Sequence, residues 1–403
     1  MGEGMSLYWK LRTIKNTAHR VHVSERLRAL RTQLAEEVTA QTSEHDLRLA
    51  TWNLMHFGGG GGYERDVDAL LYISEIIDHF DLVAVQEVND DLTQLEDLMK
   101  NYLGPEWDYI VTDTSGGDLG NDERMAFLYR KGKVRFAKLA GEIVLPDGQT
   151  IVGSGGIDFA EHFERHSQFA RSPFVVGFEC GWFQFKLCTV HIYFGNPKRP
   201  DNITDDQWDI LRQDYMDVRK AEIREIAEFL ADRQRNERRR ELDILKERGW
   251  DTEQSKANYI LLGDFNIVSP EHETMAALKE AGFQIPDGME ELPTTLGSTK
   301  AYYDQIAHRL GDRRVRHCCS GAVNFRKSVF REEDAEHYID VVKDPLVTGE
   351  AKGIDRDRDA QITYFNRYRF KHQISDHQLL WSSFQVDLAD NYLQKIAEEA
   401  REE

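Results

Sequence analysis

Cysteine is scarce in this sequence, and the positions of the few cysteines exclude two kinds of site. The four cysteines are Cys180, Cys188, Cys318 and Cys319. None of them forms a Cys-x-x-Cys pair, so we expect neither a zinc site nor a disulfide framework. Free thiols of this kind fit a reducing compartment, and we predict a cytoplasmic location.

Long apolar runs are also missing. Residues 7–9 are apolar, but Lys10, Arg12 and Lys15 follow directly. This interrupted pattern is unlike the apolar region of a signal peptide. No other stretch is long and apolar enough to cross a bilayer, so we predict no membrane span.

Positive charge is in short supply, with 51 Lys and Arg against 71 Asp and Glu and a net charge of −20. This balance argues against a protein that holds nucleic acid through a broad basic surface. An acidic enzyme still acts on a polyanion when a divalent cation and a local basic cleft reverse the field at its site. The 403 residues are 40% hydrophobic, which is enough for one large α/β domain or two ordinary ones.

Residues 1–45 predict an N-terminal helical extension. Its apolar side chains recur at steps of three and four and form one stripe: Val23, Leu27, Leu30, Leu34 and Val38. Such a stripe packs on the helix's own domain or on a second subunit. The alternatives are a docking helix for another protein, or a basic arm that uses Arg26, Arg28 and Arg31.

From Leu47 onward, short apolar runs alternate with helical stretches. Seven runs have the length and composition of strands: 47–54, 82–85, 125–129, 174–178, 183–190, 259–262 and 378–386. Many strands with few long helices between them favour two packed sheets over one doubly wound sheet. We therefore predict one α/β catalytic domain over residues 46–390, followed by a C-terminal tail, 391–403.

Three segments of this domain need separate assignments. Residues 205–257 predict a charged helical block with a solvated face. Residues 325–360 predict an insertion, in which Arg331–Asp359 lacks clear periodicity and indicates a long loop. The glycine run 58–62 predicts either a flexible loop or a mobile lip beside a site.

Polar side chains follow the ends of four predicted strands. Asn53, Glu87 and His191 each follow one strand, and Asp264 and Asn266 share a fourth. A rigid sheet positions such groups without burying them. Carboxylate and amide oxygens are the ligands that Mg²⁺ requires, and no His/Cys set competes for zinc. We therefore predict a Mg²⁺ site here, with Mn²⁺ as an alternative ion.

Eight short motifs occur in an order that resembles the endonuclease/exonuclease/phosphatase superfamily, the group with the pancreatic-deoxyribonuclease-like fold. They are Thr51-Trp52-Asn53, Gln86-Glu87, Arg124-Met125-Ala126-Phe127, Arg171-Ser172-Pro173, Thr189-Val190-His191, Gly263-Asp264-Phe265-Asn266, Tyr303-Asp304-Gln305-Ile306 and Ser375-Asp376-His377. The resemblance implies a four-layered α/β sandwich, in which two mostly antiparallel sheets pack face to face and helices cover them. It also implies metal-assisted phosphoester hydrolysis.

The resemblance also implies which residues bind metal and substrate. Asn53 and Glu87 correspond to the principal metal ligands, and Asp376 to a residue that helps hold the metal or its water. Arg124 is expected to support the site through hydrogen bonds. Together with Arg171, it is assigned to substrate binding.

The catalytic roles follow from the same resemblance. His377 corresponds to a histidine paired with a carboxylate, here Asp304. Asp264 and Asn266 correspond to groups that position the attacking water and a phosphate oxygen. His191 corresponds to the second histidine of the deoxyribonuclease-like branch. We favour Asp264 for orienting water, and the two histidines for stabilising the pentacovalent phosphorus.

His191 also bears on the substrate, because other branches carry a different residue there. Tyr302 and Tyr303 stand where the inositol phosphatases have a Trp, and Gln305 replaces the Arg common after the Asp. A DNA endonuclease is therefore the predicted activity. The alternatives are a phosphatase or phosphodiesterase on a small or lipid-linked phosphoester, which the acidic charge favours, and a nuclease subunit docked through residues 1–45.

Several other residues receive weaker assignments from the sequence. Basic side chains that could meet a nucleic-acid backbone are Arg171, Lys198, Arg199, Arg326 and Lys327. His56 lies near Asn53 but is not expected to touch substrate. The remaining histidines, His372 among them, are predicted to be surface or structural residues.

Overall fold

The computed structural model describes residues 8–60, 62–114, 123–152, 165–166, 168–195, 199, 201, 203–250, 252–297 and 300–402. Lys198 lies outside these ranges, as does Gly61 of the glycine run. The α-helices are α1 (Thr17–Glu37), α2 (Val67–Ile77), α3 (Thr93–Asp97), α4 (Asp205–Glu247), α5 (Glu273–Glu280), α6 (Pro345–Thr348), α7 (Arg358–Tyr364), α8 (Phe370–Gln373) and α9 (Ala389–Glu402).

The strands are β1 (Asp46–Phe57), β2 (Leu82–Val88), β3 (Trp107–Val111), β4 (Arg124–Arg130), β5 (Val134–Glu142), β6 (Ile151–Val152), β7 (Arg165–His166), β8 (Phe174–Cys180), β9 (Phe183–His191), β10 (Tyr259–Asp264), β11 (Asp304–Arg309), β12 (Arg316–Val323) and β13 (Leu379–Gln385). Short 3-10 or π-helical segments span Tyr8–Thr13, Thr39–Gln41, Leu98–Leu103, Met289–Glu291, Phe325–Lys327, Glu332–Asp334, His337–Val342, Glu350–Lys352 and Phe365–Arg369.

Two mixed sheets form the centre of the fold. The six-stranded sheet has the order β12-β13-β1-β2-β4-β3, and the five-stranded sheet has the order β11-β10-β9-β8-β5. Within them, β1–β2 and β9–β10 are parallel and the other neighbours are antiparallel. Helices flank both sheets, so the predicted sandwich of two mostly antiparallel sheets is confirmed.

Alternation along the strands decides which side chains enter the inter-sheet core. Leu47 and Leu49 of β1 face the second sheet, where they join Phe185 and Ile260 in one buried cluster. Trp52 of the same strand points the other way, into the core beneath α1 and α2. A third core lies between the outer face of the five-stranded sheet and α4 with α5.

The N-terminal helix α1 packs on its own domain. The stripe residues Val23, Leu27, Leu30, Leu34 and Val38 are at most 3% exposed and belong to the core beneath the six-stranded sheet. Gln33 donates to the carbonyl of Asn324, and Lys327 pairs with Glu37. The stripe is therefore covered within the chain, and a partner bound through residues 1–45 would need another face of the helix.

The charged block, residues 205–257, folds mainly as one long helix, α4. A capping box formed by Thr204 and Gln207 stabilises the N-terminus of this helix. Its middle part buries Val218, Ile223 and Leu230 against the five-stranded sheet. Its second half extends beyond the sheet, and Gly249 ends it with a φ of 66°. This arrangement matches the helix expected within residues 205–257.

Two segments differ from the sequence-based expectation. Arg331–Asp359, predicted as a long loop, contains a series of short helices, and Tyr338 and Val347 within it are buried. Its helical turns are only three to six residues long, so no apolar period could be read from the sequence. Residues of the predicted C-terminal tail form most of α9. None of the helices in the described ranges is long and apolar enough to cross a membrane.

Candidate active site

The two parallel strand pairs bring four predicted residues to one place. β1 and β2 pair Asn53 with Gln86, the neighbour of Glu87, while β9 and β10 pair His191 with Asp264. Asn53 Nδ2 donates to Glu87 Oε1 at 2.7 Å and to Asp264 Oδ2 at 3.0 Å. The amide therefore links the edges of both sheets.

His377 and Asp304 form a buried pair beside this cluster. His377 Nδ1 lies 2.7 Å from Asp304 Oδ2, and its Nε2 lies 3.9 Å from Asp264 Oδ2. Burial lowers the pKa of His377, but the neighbouring charge of Asp304, followed by that of Asp264, outweighs burial and raises the pKa well above its usual value. The imidazole is thus held as a cation that faces Asp264.

Glu123 is a residue of the site that the sequence prediction missed. His191 Nδ1 lies 3.1 Å from Glu123 Oε2, and His191 Nε2 lies 3.8 Å from both Glu87 and Asp264. Burial opposes ionisation of Glu123, but contacts with His191 and Arg171 prevail and lower its pKa to about 2. The only signal in the sequence was an acidic residue directly before the strand that begins at Arg124.

The two predicted arginines lie behind the cluster rather than in it. Arg171 is 8% exposed and donates from Nε to Glu123 Oε2 at 2.7 Å. Arg124 donates to the carbonyl of Thr112 at 2.8 Å and contacts Asp113 at 3.2 Å. Arg171 therefore positions Glu123, and substrate contact by either arginine stays a prediction.

Asp376 and Asn266 occupy the margins of the cluster. Asp376 Oδ1 lies 3.9 Å from His377 Nε2, and its Oδ2 lies 3.8 Å from Lys371 Nζ. Asn266 donates from its backbone to Asp264 Oδ1 at 3.0 Å and from Nδ2 to the carbonyl of Ile192 at 2.7 Å. The first bond fixes the Asp264 carboxylate, which keeps a pKa below its ordinary value because His377 and His191 outweigh burial.

His56 lies beside Glu87 and Glu123, and the expectation that it does not touch substrate stays a prediction. Its Nδ1 is 3.7 Å from Glu87 Oε2 and 3.9 Å from Glu123 Oε1, and its backbone N–H donates to Glu87 Oε2 at 3.0 Å. Strand β1 continues to Phe57, beyond the predicted end at Leu54, and this extension carries His56 to Glu87.

Backbone strain concentrates at these residues. Glu87, Asn266, Met55 and His56 have φ values between 43° and 59°, where non-glycine residues are rare. Each such residue costs of order 1–3 kcal/mol and persists only when its surroundings enforce it. Gly263 has a φ of 135°, and a Cβ there would lie 2.1 Å from the carbonyl oxygen of Val190. Only glycine lets β9 and β10 approach this closely.

The donor set fits a divalent cation. Glu87, Asp264 and His191 place ligand atoms within 4.8 Å of one another, as do His56, Glu87 and Glu123. Carboxylates in such proximity are stabilised by positive charge, which His377 supplies at Asp264 and Arg171 at Glu123 and which a bound ion would add at Glu87. The Asn53 amide bridges Glu87 and Asp264 through Nδ2, and its Oδ1 accepts from the Met55 backbone N–H at 2.8 Å. Carboxylate and amide oxygens are the hard ligands that Mg²⁺ and Mn²⁺ accept.

The comparison with curated proteins gives a partial relative. A deoxyribonuclease of Thioalkalivibrio sp. (strain K90mix) is 31% identical over 155 residues. This segment covers 38% of the chain and 36% of the relative, so the chain matches about a third of that protein's length.

Solved structures align over most of the chain at low identity. A humanised TDP2 of D. rerio is 13% identical, with a TM-score of 0.44 over 85% of this chain and 99% of that one. A mannosyl-6-phosphatase of Bacteroides thetaiotaomicron VPI-5482 is 16% identical, with a TM-score of 0.41 over 84% of this chain and 99% of that one. The family model described as endonuclease/exonuclease/phosphatase matches residues 50–312. The match spans more than half of the chain, which therefore belongs to the endonuclease/exonuclease/phosphatase family of phosphoester hydrolases.

Proposed function

We propose that this chain is a Mg²⁺-dependent phosphodiester hydrolase, and that it cleaves DNA internally. The observation that carries the proposal is the convergence of Glu87, Asp264 and His377 on one point between the two sheets. The partial likeness to a deoxyribonuclease and the presence of His191 favour DNA over a small phosphoester.

Asp264 is proposed to orient the attacking water. Its carboxylate is ionised because His377 and His191 outweigh burial and hold its pKa low, and Asn266 and Asn53 fix its two oxygens. Hydrolysis of a phosphoester requires water in line with the leaving oxygen. An oxygen of Asp264 accepts a hydrogen bond from that water and holds it in line.

His377 and His191 are proposed to stabilise the reacting phosphate from two sides. Asp304 keeps His377 protonated, so Nε2 donates to a phosphate or leaving oxygen. Glu123 faces Nδ1 of His191 and directs Nε2 toward the cluster. A positioned acid or base of this kind contributes about 10²–10⁴-fold to the rate.

Glu87 and Asn53 are proposed to hold the divalent ion, with Asp376 as a further oxygen donor. When bound, the ion supplies positive charge against the phosphate oxygens. Glu87 has a left-handed backbone that aims its carboxylate into the cluster. Asp376 is about one third exposed, and its Oδ1 lies 3.9 Å from His377 Nε2, the nitrogen that also faces Asp264.

One alternative has a specific observation in its favour. The net charge of −20 disfavours a polyanion and favours a phosphatase or phosphodiesterase on a small or lipid-linked phosphoester. Such an enzyme would hydrolyse soluble phosphoesters with little dependence on salt. The same residues would serve both reactions, so substrate turnover decides between them.

An activity panel tests the proposal. Plasmid DNA, single-stranded DNA, RNA, inositol phosphates and bis(p-nitrophenyl) phosphate are each incubated with the chain and Mg²⁺ or Mn²⁺. We expect conversion of supercoiled plasmid to nicked circles, and loss of that activity in Glu87→Gln and His377→Asn. The matched controls are Glu106→Gln and His45→Asn, because both side chains are exposed. Turnover of small phosphates alone would refute DNA as substrate, and full activity in both site variants would refute the site.

A further inference from the structure

A row of five aromatic rings leads out of the candidate active site. Ring centroids are 4.8 Å apart for His56 and Tyr63, 4.7 Å for Tyr63 and His372, 6.5 Å for His372 and Tyr364, and 5.5 Å for Tyr364 and Tyr368. We call these five residues the aromatic row. His56 lies in β1 and Tyr63 in the loop after it, whereas Tyr364, Tyr368 and His372 lie in the continuous helical stretch from α7 through Phe365–Arg369 to α8, so two separate parts of the chain build one surface.

The two ends of the aromatic row differ in their surroundings. His56 at the inner end lies 3.7 Å from Glu87. Tyr368 at the outer end is 49% exposed and lines two neighbouring cavities, of about 490 Å³ and about 1070 Å³. The three rings between them are partly exposed. An apolar core would bury rings like these, so exposure along the whole row indicates a binding surface.

Positive charge accompanies the rings, in contrast to the chain as a whole. The guanidinium of Arg356 lies 4.0 Å from the Tyr364 ring centroid and donates to the carbonyls of Leu346 and Val347, and Lys371 Nζ lies 3.8 Å from Asp376. Arg367 is exposed and makes no hydrogen bond or ion pair with the described residues. Basic residues also outnumber the two acidic residues of the larger cavity, Glu332 and Glu333.

His372 in the middle of the row is suited to stacking. Burial, followed by the charges of Arg369 and Arg65, lowers its pKa to about 4, so the ring is neutral at physiological pH. Its Nδ1 is buried and has no hydrogen-bond partner in the described part of the chain. Its neighbours in the row, Tyr63 and Tyr364, contact it through their rings. The histidine therefore contributes an aromatic face rather than a charge.

We propose that the aromatic row, with Arg356, Arg367 and Lys371 beside it, binds the unpaired bases and backbone of a single-stranded nucleic acid. Aromatic faces that follow a positively charged groove are the general means of holding single strands, because every base has a face that stacks. A duplex keeps its bases paired and offers none of these faces to the row. The proposal rests on the nuclease function and names its substrate class, a strand that is unpaired next to the cleaved phosphate.

Lys371 and Asp376 connect the helical part of the aromatic row with His377. Asp376 lies between Lys371 and His377, with Oδ2 3.8 Å from Lys371 Nζ and Oδ1 3.9 Å from His377 Nε2. A strand whose bases lie on the row thus places one phosphate at Lys371 and the adjoining phosphate at His377. The row would hold the part of the strand on one side of the cleaved bond.

Binding of a labelled oligonucleotide tests the proposal without turnover. The measurement uses Asp264→Asn as the parent, with Mg²⁺ present, and the fluorescence anisotropy of an oligothymidylate of about 12 nucleotides. Tyr368→Ala in this parent is expected to weaken binding about tenfold, the loss of one stacked base. Tyr368→Phe keeps the ring and is expected to bind within about twofold of the parent. The matched control is Tyr392→Ala on α9, because that tyrosine is 44% exposed.

Charge and strandedness give two further readouts. Arg367→Ala is expected to reduce the slope of log affinity against log salt by about one, the loss of one phosphate contact. The same oligonucleotide in a duplex is expected to bind the parent more weakly and to respond little to Tyr368→Ala. The proposal is overturned if Tyr368→Ala binds the single strand like the parent, if Tyr368→Phe loses as much as Tyr368→Ala, or if the parent does not bind the strand.

Failure of the aromatic row is distinguishable from failure of the nuclease proposal. In the chain with Asp264 intact, hydrolysis of bis(p-nitrophenyl) phosphate reports on the candidate active site alone, and the control Tyr392→Ala is expected to leave its rate unchanged. A chain that binds the strand through Tyr368 but cleaves no nucleic acid refutes the nuclease proposal alone. If the chain cleaves DNA but Tyr368→Ala does not weaken binding of the single strand, only the proposal for the aromatic row is refuted.

Discussion

His377 Nδ1 and Asp304 Oδ2 lie 2.7 Å apart, although 73 residues separate them in the chain. Both side chains are buried, and Asp304 is the first residue of β11, paired with Asp264 of β10. Thr295 forms an isolated bridge with His377 and holds the histidine over that strand end. The strand pairing thus sets the distance from the His377 imidazole to Asp264.

Asp304→Asn is expected to lower kcat by about 10²–10⁴-fold, because the amide keeps the shape but removes the charge that holds His377 protonated. The pKa of His377 falls when this charge is lost. Activity that needs protonated His377 then declines at a lower pH than in the parent, so the alkaline limb of the pH–rate profile moves to lower pH. Steady-state rates across pH measure both effects. Asp209→Asn, at an exposed aspartate, is the control. A variant with the same alkaline limb as the parent would contradict the role of the pair.

Glu123→Gln is expected to lower kcat by about 10–100-fold, the usual effect of removing a group that orients another functional side chain. The glutamine loses the charge that faces His191 Nδ1 and that Arg171 holds in place. Rates on bis(p-nitrophenyl) phosphate and the ¹⁵N shifts of His191 measure the change. Glu142→Gln, on an exposed part of β5, is the control. If Glu123→Gln changes neither the His191 tautomer nor kcat, Glu123 has only a structural role.

Removal of the divalent ion is expected to abolish hydrolysis, and Mg²⁺ or Mn²⁺ to restore it. Ion binding to the folded chain also stabilises it, by about 2.7 kcal/mol at a hundred times Kd. Thermal unfolding with and without Mg²⁺ measures that gain independently of activity. Glu87→Gln is expected to remove most of the gain, since it loses one of the carboxylates of the cluster. Equal Tm shifts in the parent and in Glu87→Gln would place the ion elsewhere.

The seven strands expected from the sequence could be predicted because their apolar runs are buried and regular; they are β1, β2, β4, β8, β9, β10 and β13. The sequence prediction did not include β3, β5, β6, β7, β11 and β12. Leu82–Val85 and Tyr259–Leu262 are apolar runs, and each continues into the polar residues that the site uses. The pairing of Asp264 with His191 follows once β9 and β10 are parallel neighbours. Motif order then added Asp304 and His377, which no local pattern distinguishes.

Glu123 and His56 could not be predicted, because their positions depend on tertiary contacts. Glu123 lies before a strand, like many turn residues, and only the approach of His191 and Arg171 gives it a role. His56 reaches Glu87 because Met55 and His56 have left-handed backbone conformations, and no pattern in the sequence predicts these conformations. The short helices of Arg331–Asp359 were missed for a related reason, since turns of three to six residues carry no period.

Acidification is expected to destabilise the chain between pH 6.5 and about 4, partly through His22. Burial, followed by the charge of His337, lowers the pKa of His22 to about 4 in the folded state. In the unfolded chain, His22 binds a proton from about pH 6.5. As the pH falls below that value, the unfolded state gains the proton before the folded state does, so the free energy of unfolding decreases. Urea midpoints at pH 7 and pH 5 measure the loss. His22→Gln removes the titration and is expected to show a smaller difference between the two midpoints; an equal difference would contradict the contribution of His22.

Leu30→Ala is expected to destabilise the whole domain by about 2–5 kcal/mol, because Leu30 is fully buried where α1 covers the six-stranded sheet. Val21 on the same helix is 52% exposed, so Val21→Ala should stay within about 0.5 kcal/mol of the parent. Urea unfolding followed by circular dichroism gives both values. A cost below about 1 kcal/mol for Leu30→Ala would mean that α1 separates easily from the domain and leaves its stripe open to a partner. The larger cost would make α1 a part of the catalytic fold, since unfolding it would also unfold the sheet that holds Asn53 and Glu87.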